Sequence, residues 1–213
     1  MGVYTLKKAG VLEVTRDSQH LRILHVLTLS GRNGEYGGPV RVARELCGEL
    51  NRMGHQATIF SGVRKNSEPI IEATSNEEYV LVRPLLKRYP VSSLWSWKLI
   101  LALSRRIKKA DVVHVHFARD LIPLLAASLA LIWRKTLVTQ THGMIISDGR
   151  QSTKLIDQIL TRPILNKSSQ HLVLTTTELE AVNKLSIRAT PRILPNGISI
   201  PRNVTRTSLT GIR

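Results

Sequence analysis

Short runs of aliphatic and β-branched residues alternate with longer segments of helical periodicity along most of this chain. Seven runs have the length and composition of strands, at 21–29, 55–61, 79–85, 111–117, 136–141, 171–175 and 192–194. Helical periodicity predicts five helices, over 39–53, 94–109, 121–133, 153–167 and 177–185. Because this alternation is typical of parallel βαβ units, the sequence predicts an α/β fold on a doubly wound, mainly parallel sheet of about seven strands.

The chain has 213 residues, 42% of them hydrophobic, which favours one folded domain of ordinary globular composition. Its one cysteine, Cys47, excludes an internal disulfide and fits a reducing, cytoplasmic compartment. Cys47 lies in a helical apolar pattern, so we interpret it as a packing residue. Residues 1–20 lack the apolar core of a secretion signal and are interpreted as an N-terminal arm. No segment is long and apolar enough to predict a transmembrane helix.

Basic residues outnumber acidic ones by 31 to 15, so the protein should be attracted to anionic surfaces. Residues 83–109 hold eight basic residues and no acidic one, interleaved with Trp95, Trp97 and leucines. This pattern is typical of an interfacial amphipathic helix, and it fits a core helix with a solvated basic face equally well. A second acid-free region, 181–213, contains prolines and looks like a linker at its end.

The loop at 30–39, after the first predicted strand, carries glycines and leads directly into a helix. Gly37 and Gly38 would allow the backbone to approach a phosphate, and Pro39 suits a first helical turn. A helix N-terminus presents free N–H groups to an anion. A purely structural turn remains the alternative, because neither a G-x-G-x-x-G nor a G-x-x-x-x-G-K-[ST] pattern is present.

Histidines stand near the ends of two predicted strands. His142, within Thr141-His142-Gly143, is the strongest candidate for a catalytic residue, although a cap for the local turn is the alternative. His116 lies nearer to its strand end than His114, which we interpret as a buried histidine. We expect His114 and His116 to face opposite sides of the sheet, and therefore not to bind one metal ion together. No D-x-D motif occurs, so metal binding is not expected.

Five motifs, in order and spacing, resemble the N-terminal, Rossmann-like domain of GT4-family retaining glycosyltransferases, which have the GT-B architecture. They are YGGPVRVA at 36–43, GH at 54–55, DVVHVH at 111–116, THG at 141–143 and LPNGI at 194–198. The resemblance covers residues 21–198, which we take as the domain, with 199–213 as the start of an interdomain linker. In such enzymes the first domain binds the acceptor and the second holds a nucleotide sugar.

The resemblance assigns roles to matching positions. It makes His142 the histidine that contacts the transferred sugar, and Gly37 and Gly38 the loop that meets the donor diphosphate or the acceptor. The residues implied in acceptor binding are His116, Phe117, Arg119, Thr141 and Gly143, and Asn196 and Gly197 would lead to the interdomain hinge.

The family's second domain carries two glutamates eight positions apart, and no glutamate pair here has that spacing. We therefore expect the donor-binding domain to follow in a longer chain or to be supplied by a partner chain, and this half alone to be inactive. The implied function is hexosyl transfer in polysaccharide biosynthesis, from a UDP- or GDP-sugar to a glycan or lipid-linked glycan. No cofactor is expected, and the site would lie in the cytoplasm or at the inner face of the membrane.

A non-catalytic module that binds a nucleotide or a polyanion is the alternative, and the high net charge of +16 favours it. Against specific nucleic-acid binding, aromatic residues make up only 4% of the chain and no recognition motif is present.

Overall fold

The computed structural model describes residues 5–6, 12–13, 20–31, 37–65, 76–145, 151–185 and 190–197. Several predictions of the sequence lie outside these ranges. They concern Tyr36, Ile198, most of the N-terminal arm and the linker at 199–213.

The centre of the structure is a seven-stranded sheet in which all neighbouring strands pair in parallel. Its strands are β3 (Arg22–Leu29), β4 (Gln56–Val63), β5 (Glu77–Leu81), β8 (Val112–His116), β9 (Thr136–Gln140), β10 (Gln170–Val173) and β11 (Arg192–Ile193). Two short antiparallel pairs lie outside the sheet, β1 (Thr5–Leu6) with β2 (Leu12–Glu13) and β6 (Arg83–Pro84) with β7 (Leu94–Trp95).

Across the sheet the strands run β11-β10-β9-β8-β3-β4-β5. The chain therefore starts the sheet at β3, builds outward to β5, and then returns to build the other half from β8. This is a doubly wound topology, and its switch point lies between β3 and β8. The predicted Rossmann-like α/β fold is confirmed.

The helices are α1 (Gly37–Arg52), α2 (Trp97–Lys109), α3 (Leu121–Ile132), α4 (Gln151–Ile156), a π-helix (Asp157–Thr161), α5 (Arg162–Lys167) and α6 (Thr176–Asn183). Within the described ranges, no helix is long and apolar enough to cross a membrane.

Two boundaries differ from the prediction by more than two residues. The strand predicted over 79–85 ends at Leu81, and Arg83–Pro84 pairs with Leu94–Trp95 instead. The helix predicted from residue 94 begins at Trp97, because extended Ser96 caps it by accepting the Leu99 backbone N–H at 3.1 Å. Hydrophobic periodicity does not reveal either change, since both depend on local hydrogen bonds.

The single helix predicted over 153–167 is interrupted by a π-helical turn. Pro163 lies just after this turn and has no backbone N–H to donate to the preceding turn. A π-turn widens the helix at such a point. Asp157 begins this turn and is buried.

The sheet is buried on both faces, as parallel sheets usually are. Along β3, Leu24 and Val26 enter the larger core with α2, α3 and α5, while Ile23 and Leu27 enter a smaller core with α1. Cys47 belongs to the smaller core, and its Sγ donates to the Ala57 carbonyl at 3.1 Å. Burial raises the pKa of this thiol, so Cys47 is a packing residue, as predicted.

Candidate active site

Three strands end next to one another at the switch point of the sheet. They are β9, β8 and β3, in that order. Because the strands are parallel, the loops that follow them lie at the same carboxyl edge, where ligands of open α/β sheets bind. A ligand site of this fold is therefore expected at the ends of these strands.

His142 sits in a tight turn immediately after β9. Both His142 and Gly143 have positive φ angles, 49° and 76°. A histidine in the left-handed region is uncommon, and the surrounding structure must stabilise it. The stabilising group is the carboxylate of Glu178 on α6, which is 5% exposed. It accepts hydrogen bonds from the Thr141 hydroxyl, from the Gly143 N–H at 2.5 Å and from the Leu174 N–H at 2.6 Å.

The sequence interpretation missed Glu178, although a signal for it exists. Thr175-x-x-Glu178 has the pattern of a helix N-terminal capping box. In the structure, Thr175 Oγ1 accepts the Glu178 backbone N–H at 3.2 Å, as in that motif. The Glu178 side chain reaches further than in a simple cap, and it joins α6 to the turn that carries His142.

His116 and His142 are in direct contact. Nδ1 of His116 lies 2.7 Å from Nε2 of His142, and the two rings are near parallel, with planes within 13° and centroids 5.0 Å apart. On its other side, Nε2 of His116 lies 3.3 Å from Nδ1 of His25 on β3. The structure thus brings together two predicted site residues and adds His25, which the sequence interpretation did not single out.

The expectation that His114 and His116 face opposite sides of the sheet is wrong. Their rings stack with centroids 4.8 Å apart and planes within 11°. Residues two positions apart in a strand point to the same face, because side chains alternate with a period of two. The ring of His25 lies 4.8 Å from that of His114, as the pairing of His25 with His114 in the β3–β8 register requires.

These histidines are held in the neutral form. Burial lowers the pKa of His25 to about 4, and burial also lowers the pKa of His142 to about 4 against the opposing effect of the Glu178 charge. Burial, reinforced by the neighbouring imidazoles, lowers the pKa values of His114 and His116 well below the ordinary histidine value. Each ring therefore carries one proton at neutral pH.

One group of three histidines in the described residues has the composition of a metal site. His25, His114 and His116 each offer one nitrogen, and these atoms lie within 4.8 Å of one another. Nitrogens around a tetrahedral zinc ion lie about 3.4 Å apart, as follows from Zn–N bonds of roughly 2.0–2.1 Å. Moreover, the near-parallel rings of His114 and His116 keep their lone pairs in separate planes. The arrangement is a stacked pair, His114 and His116, with the His25 ring tilted by 41° and 34° against them. The absence of a metal requirement stays a prediction.

Two other predicted acceptor residues lie apart from the histidines. Phe117 is fully buried in the larger core, on the face of the sheet opposite His116. Arg119 forms a bidentate ion pair with Asp157 of the π-helix, with N–O distances of 2.6 and 2.8 Å. The Arg119 pair thus fixes the π-helix to the loop after β8.

A cleft of about 660 Å³ opens beside this ion pair. Arg119 and Asp120 contribute to its wall, and most of the lining is apolar. Several of its hydrophobic side chains are more than one-third exposed, namely Leu85, Leu86, Tyr89, Leu121, Met144 and Leu160. Because Met144 follows the His142 turn, the cleft lies next to that turn.

The predicted glycine and hinge residues also lie near the carboxyl edge. Gly37 begins α1 with φ of 69°, so its backbone conformation favours glycine, whereas Gly38 has no positive φ. Both are exposed, and a Cβ on either would meet nothing within 4 Å. Asn196 and Gly197 line a second cleft, of about 350 Å³, together with Gln140 and residues of α1.

The sequence profile of Glycosyltransferase Family 4 matches residues 36–202. The chain belongs to this family. The resemblance inferred from the five motifs is thereby confirmed, and the match begins at the YGGP motif that leads into α1. No curated protein matches the chain significantly.

Two solved structures share the fold of this family 4 chain. One is HepE from Anabaena, solved in complex with UDP and glucose, which is 15% identical with a TM-score of 0.53. The other is a glycosyltransferase from Rickettsia africae, which is 16% identical with a TM-score of 0.50. The alignments cover 84% of this chain in both cases, but only 45% and 44% of the two solved chains. The chain therefore spans less than half the length of these structures.

Proposed function

We propose that this chain is the acceptor-binding half of a glycosyltransferase that moves a hexose from a nucleotide sugar to a glycan or a lipid-linked glycan. The observation that carries the proposal is the family 4 match over residues 36–202, which contains the His142 turn. Because the alignment covers less than half of each solved chain, a second domain, in the same chain or in a partner chain, would supply the donor site.

His142 is the group that we propose to contact the transferred sugar. It stands at the carboxyl edge of the sheet beside the switch point, and Glu178 and His116 hold its turn and its ring. Gly37 would bring the N-terminus of α1 close to the donor diphosphate or the acceptor. A UDP- or GDP-sugar fits this arrangement, and the UDP bound to HepE supports the nucleotide-sugar class.

The apolar cleft beside Arg119 is the proposed location of the acceptor. Its exposed leucines would cover an apolar carrier, and Lys87 and Arg88 are exposed in the segment between Leu86 and Tyr89. An amphiphilic anion, such as a glycan on a lipid phosphate, matches apolar walls beside basic side chains. This acceptor would place the enzyme peripherally at the inner, cytoplasmic face of a membrane.

Helix α2 offers a surface for such attachment. Its Leu99, Leu103 and Ile107 are buried in the core, so one face of the helix is a packing face. On the outside, Trp97 is 69% and Leu101 is 54% exposed. Both side chains lie among exposed basic residues, an arrangement that suits an anionic lipid surface.

Sedimentation with vesicles tests the membrane part of the proposal. The chain should pellet with vesicles of phosphatidylcholine and phosphatidylglycerol at low salt and be released at 1 M salt, where the screening length falls to about 3 Å. The double variant Trp97→Ala, Leu101→Ala should pellet less. Met53→Ala is the matched control, because Met53 is 68% exposed at the end of α1, on the other face of the sheet. No pelleting at low salt would refute the membrane clause alone.

Sugar transfer is tested with the complete product of the natural reading frame. The protein is incubated with radiolabelled UDP- or GDP-hexoses and with lipid and polysaccharide fractions of its source cells. We expect label to enter the organic-extractable lipid-linked pool or the polysaccharide. If no labelled donor gives transfer, while the chain still binds nucleotides or random DNA at about 0.15 M salt, the non-catalytic binding module is the better description.

A further inference from the structure

Three imidazoles are joined end to end between the interior of the sheet and the candidate active site. The first link connects Nδ1 of His25 with Nε2 of His116 at 3.3 Å, and the second connects Nδ1 of His116 with Nε2 of His142 at 2.7 Å. His25 is fully buried and His116 is 1% exposed. The two ends of this histidine chain are therefore Nε2 of His25, inside the protein, and Nδ1 of His142, at the site.

Only two proton arrangements satisfy both links. Each neutral imidazole has one N–H donor and one acceptor nitrogen, and each link needs one proton between its two nitrogens. In the inward order, His142 donates to His116 and His116 donates to His25. In the outward order, His25 donates to His116 and His116 donates to His142. The direction of one link thus fixes the direction of the other.

The buried end of the histidine chain favours the outward order. Nε2 of His25 is buried and has no hydrogen-bond partner among the described residues. The inward order would leave an N–H unpaired there, and buried N–H groups are orphaned less often than acceptors.

We propose that His25 and His116 are positioning residues, which form a directional hydrogen-bond chain and hold His142 as a neutral N–H donor through Nδ1. The role of this hydrogen-bond chain in sugar transfer rests on the proposed function, whereas its geometry does not. His142 then offers a hydrogen bond to an oxygen of the sugar or the phosphate, and does not act as a base that removes a proton.

Imidazole ¹⁵N shifts test the inference directly on the ¹⁵N-labelled chain. Long-range ¹H–¹⁵N spectra at pH 7.5 distinguish protonated from unprotonated ring nitrogens. We expect the proton on Nδ1 in each of His25, His116 and His142. In His25→Leu the link that fixes the direction of the hydrogen bonds is missing, so Nε2 of His142 should become partly protonated. Proton on Nε2 of His142 in the wild type, or an unchanged His142 signal in His25→Leu, would overturn the proposal.

Two further variants separate positioning from packing. His116→Asn keeps a side-chain N–H close to the place of Nδ1, so His142 should keep its proton on Nδ1, whereas His116→Leu should lose this order. His114→Leu is the matched control, because the His114 ring lies 4.8 Å from the rings of both His25 and His116 but is in neither link. Amide ¹H–¹⁵N spectra show which variants fold. If the wild-type chain shows the outward order and the complete protein transfers no sugar, the proposed function fails while the histidine chain stands.

Discussion

Replacing Glu178 by glutamine should destabilise the protein although the two side chains have nearly the same shape. Both carboxylate oxygens are occupied. Oε1 accepts from the Thr141 hydroxyl and the Gly143 N–H, and Oε2 accepts from the Leu174 N–H. Glutamine keeps one acceptor oxygen and places an NH₂ group opposite at least one buried donor. An unsatisfied buried polar group costs about 1–3 kcal/mol, so we expect a loss of about 2–3 kcal/mol.

Thermal unfolding measures this loss. In a domain of about 150–250 residues, 1 kcal/mol corresponds to roughly 2–4 °C, so Tm should fall by roughly 4–12 °C. Glu180→Gln is the matched control, because Glu180 is on the same helix and exposed. Its Tm should stay within about 2 °C of the wild type, as is usual for surface changes. Equal Tm values for the two variants would refute the role given to Glu178 in holding the His142 turn.

Further predictions concern an ion pair, a helix start and pH. Arg119→Ala should cost about 3–5 kcal/mol in urea unfolding, since it leaves the Asp157 carboxylate buried without its bidentate partner, and Asp157→Asn in the same chain should recover part of that loss. Gly37→Ala should cost about 1–2 kcal/mol because φ is positive there, whereas Gly38→Ala should cost less, and circular dichroism melts compare the two. The pKa of His25 is about 4 when folded, below its unfolded value. The unfolded state therefore binds more protons, so stability is present above about pH 6.5 and declines towards pH 4, by at most about 1.4 kcal/mol per pH unit for this residue. Urea unfolding at several pH values should show a shallower decline in His25→Leu, and an equal slope would count against its buried neutral state.

The fold was predictable because each strand of a buried parallel sheet is a short apolar run. Such a run can be recognised in the sequence without knowing which strands pair with it. The seven predicted runs overlap all seven strands of the sheet. The exceptions are features decided by local hydrogen bonds. Ser96 caps α2, which begins three residues after its predicted start, and the π-turn before Pro163 interrupts an otherwise regular helical pattern.

The candidate site was predictable only in part. His142 and His116 lie at strand ends, which the sequence marks, and the structure joins them at 2.7 Å. His25 was missed because only the register of β3 against β8 brings it to His114 and His116. Glu178 acts on a turn 35 residues earlier in the chain, and a capping pattern gives no information on such a distant partner. The expectation that His114 and His116 face opposite sides was wrong for a reason visible in the sequence. The two histidines are two positions apart, and such residues lie on the same face of a strand.

The rate of sugar transfer by the complete natural protein, compared between wild type and His142→Ala, tests the central proposal most directly. Loss of a hydrogen-bond donor to the transition state should lower kcat about 10²–10³-fold with a smaller change in KM. His55→Ala is the control, because His55 precedes β4 at the amino edge of the sheet, away from the site. A His142→Ala rate equal to that of His55→Ala would contradict the account.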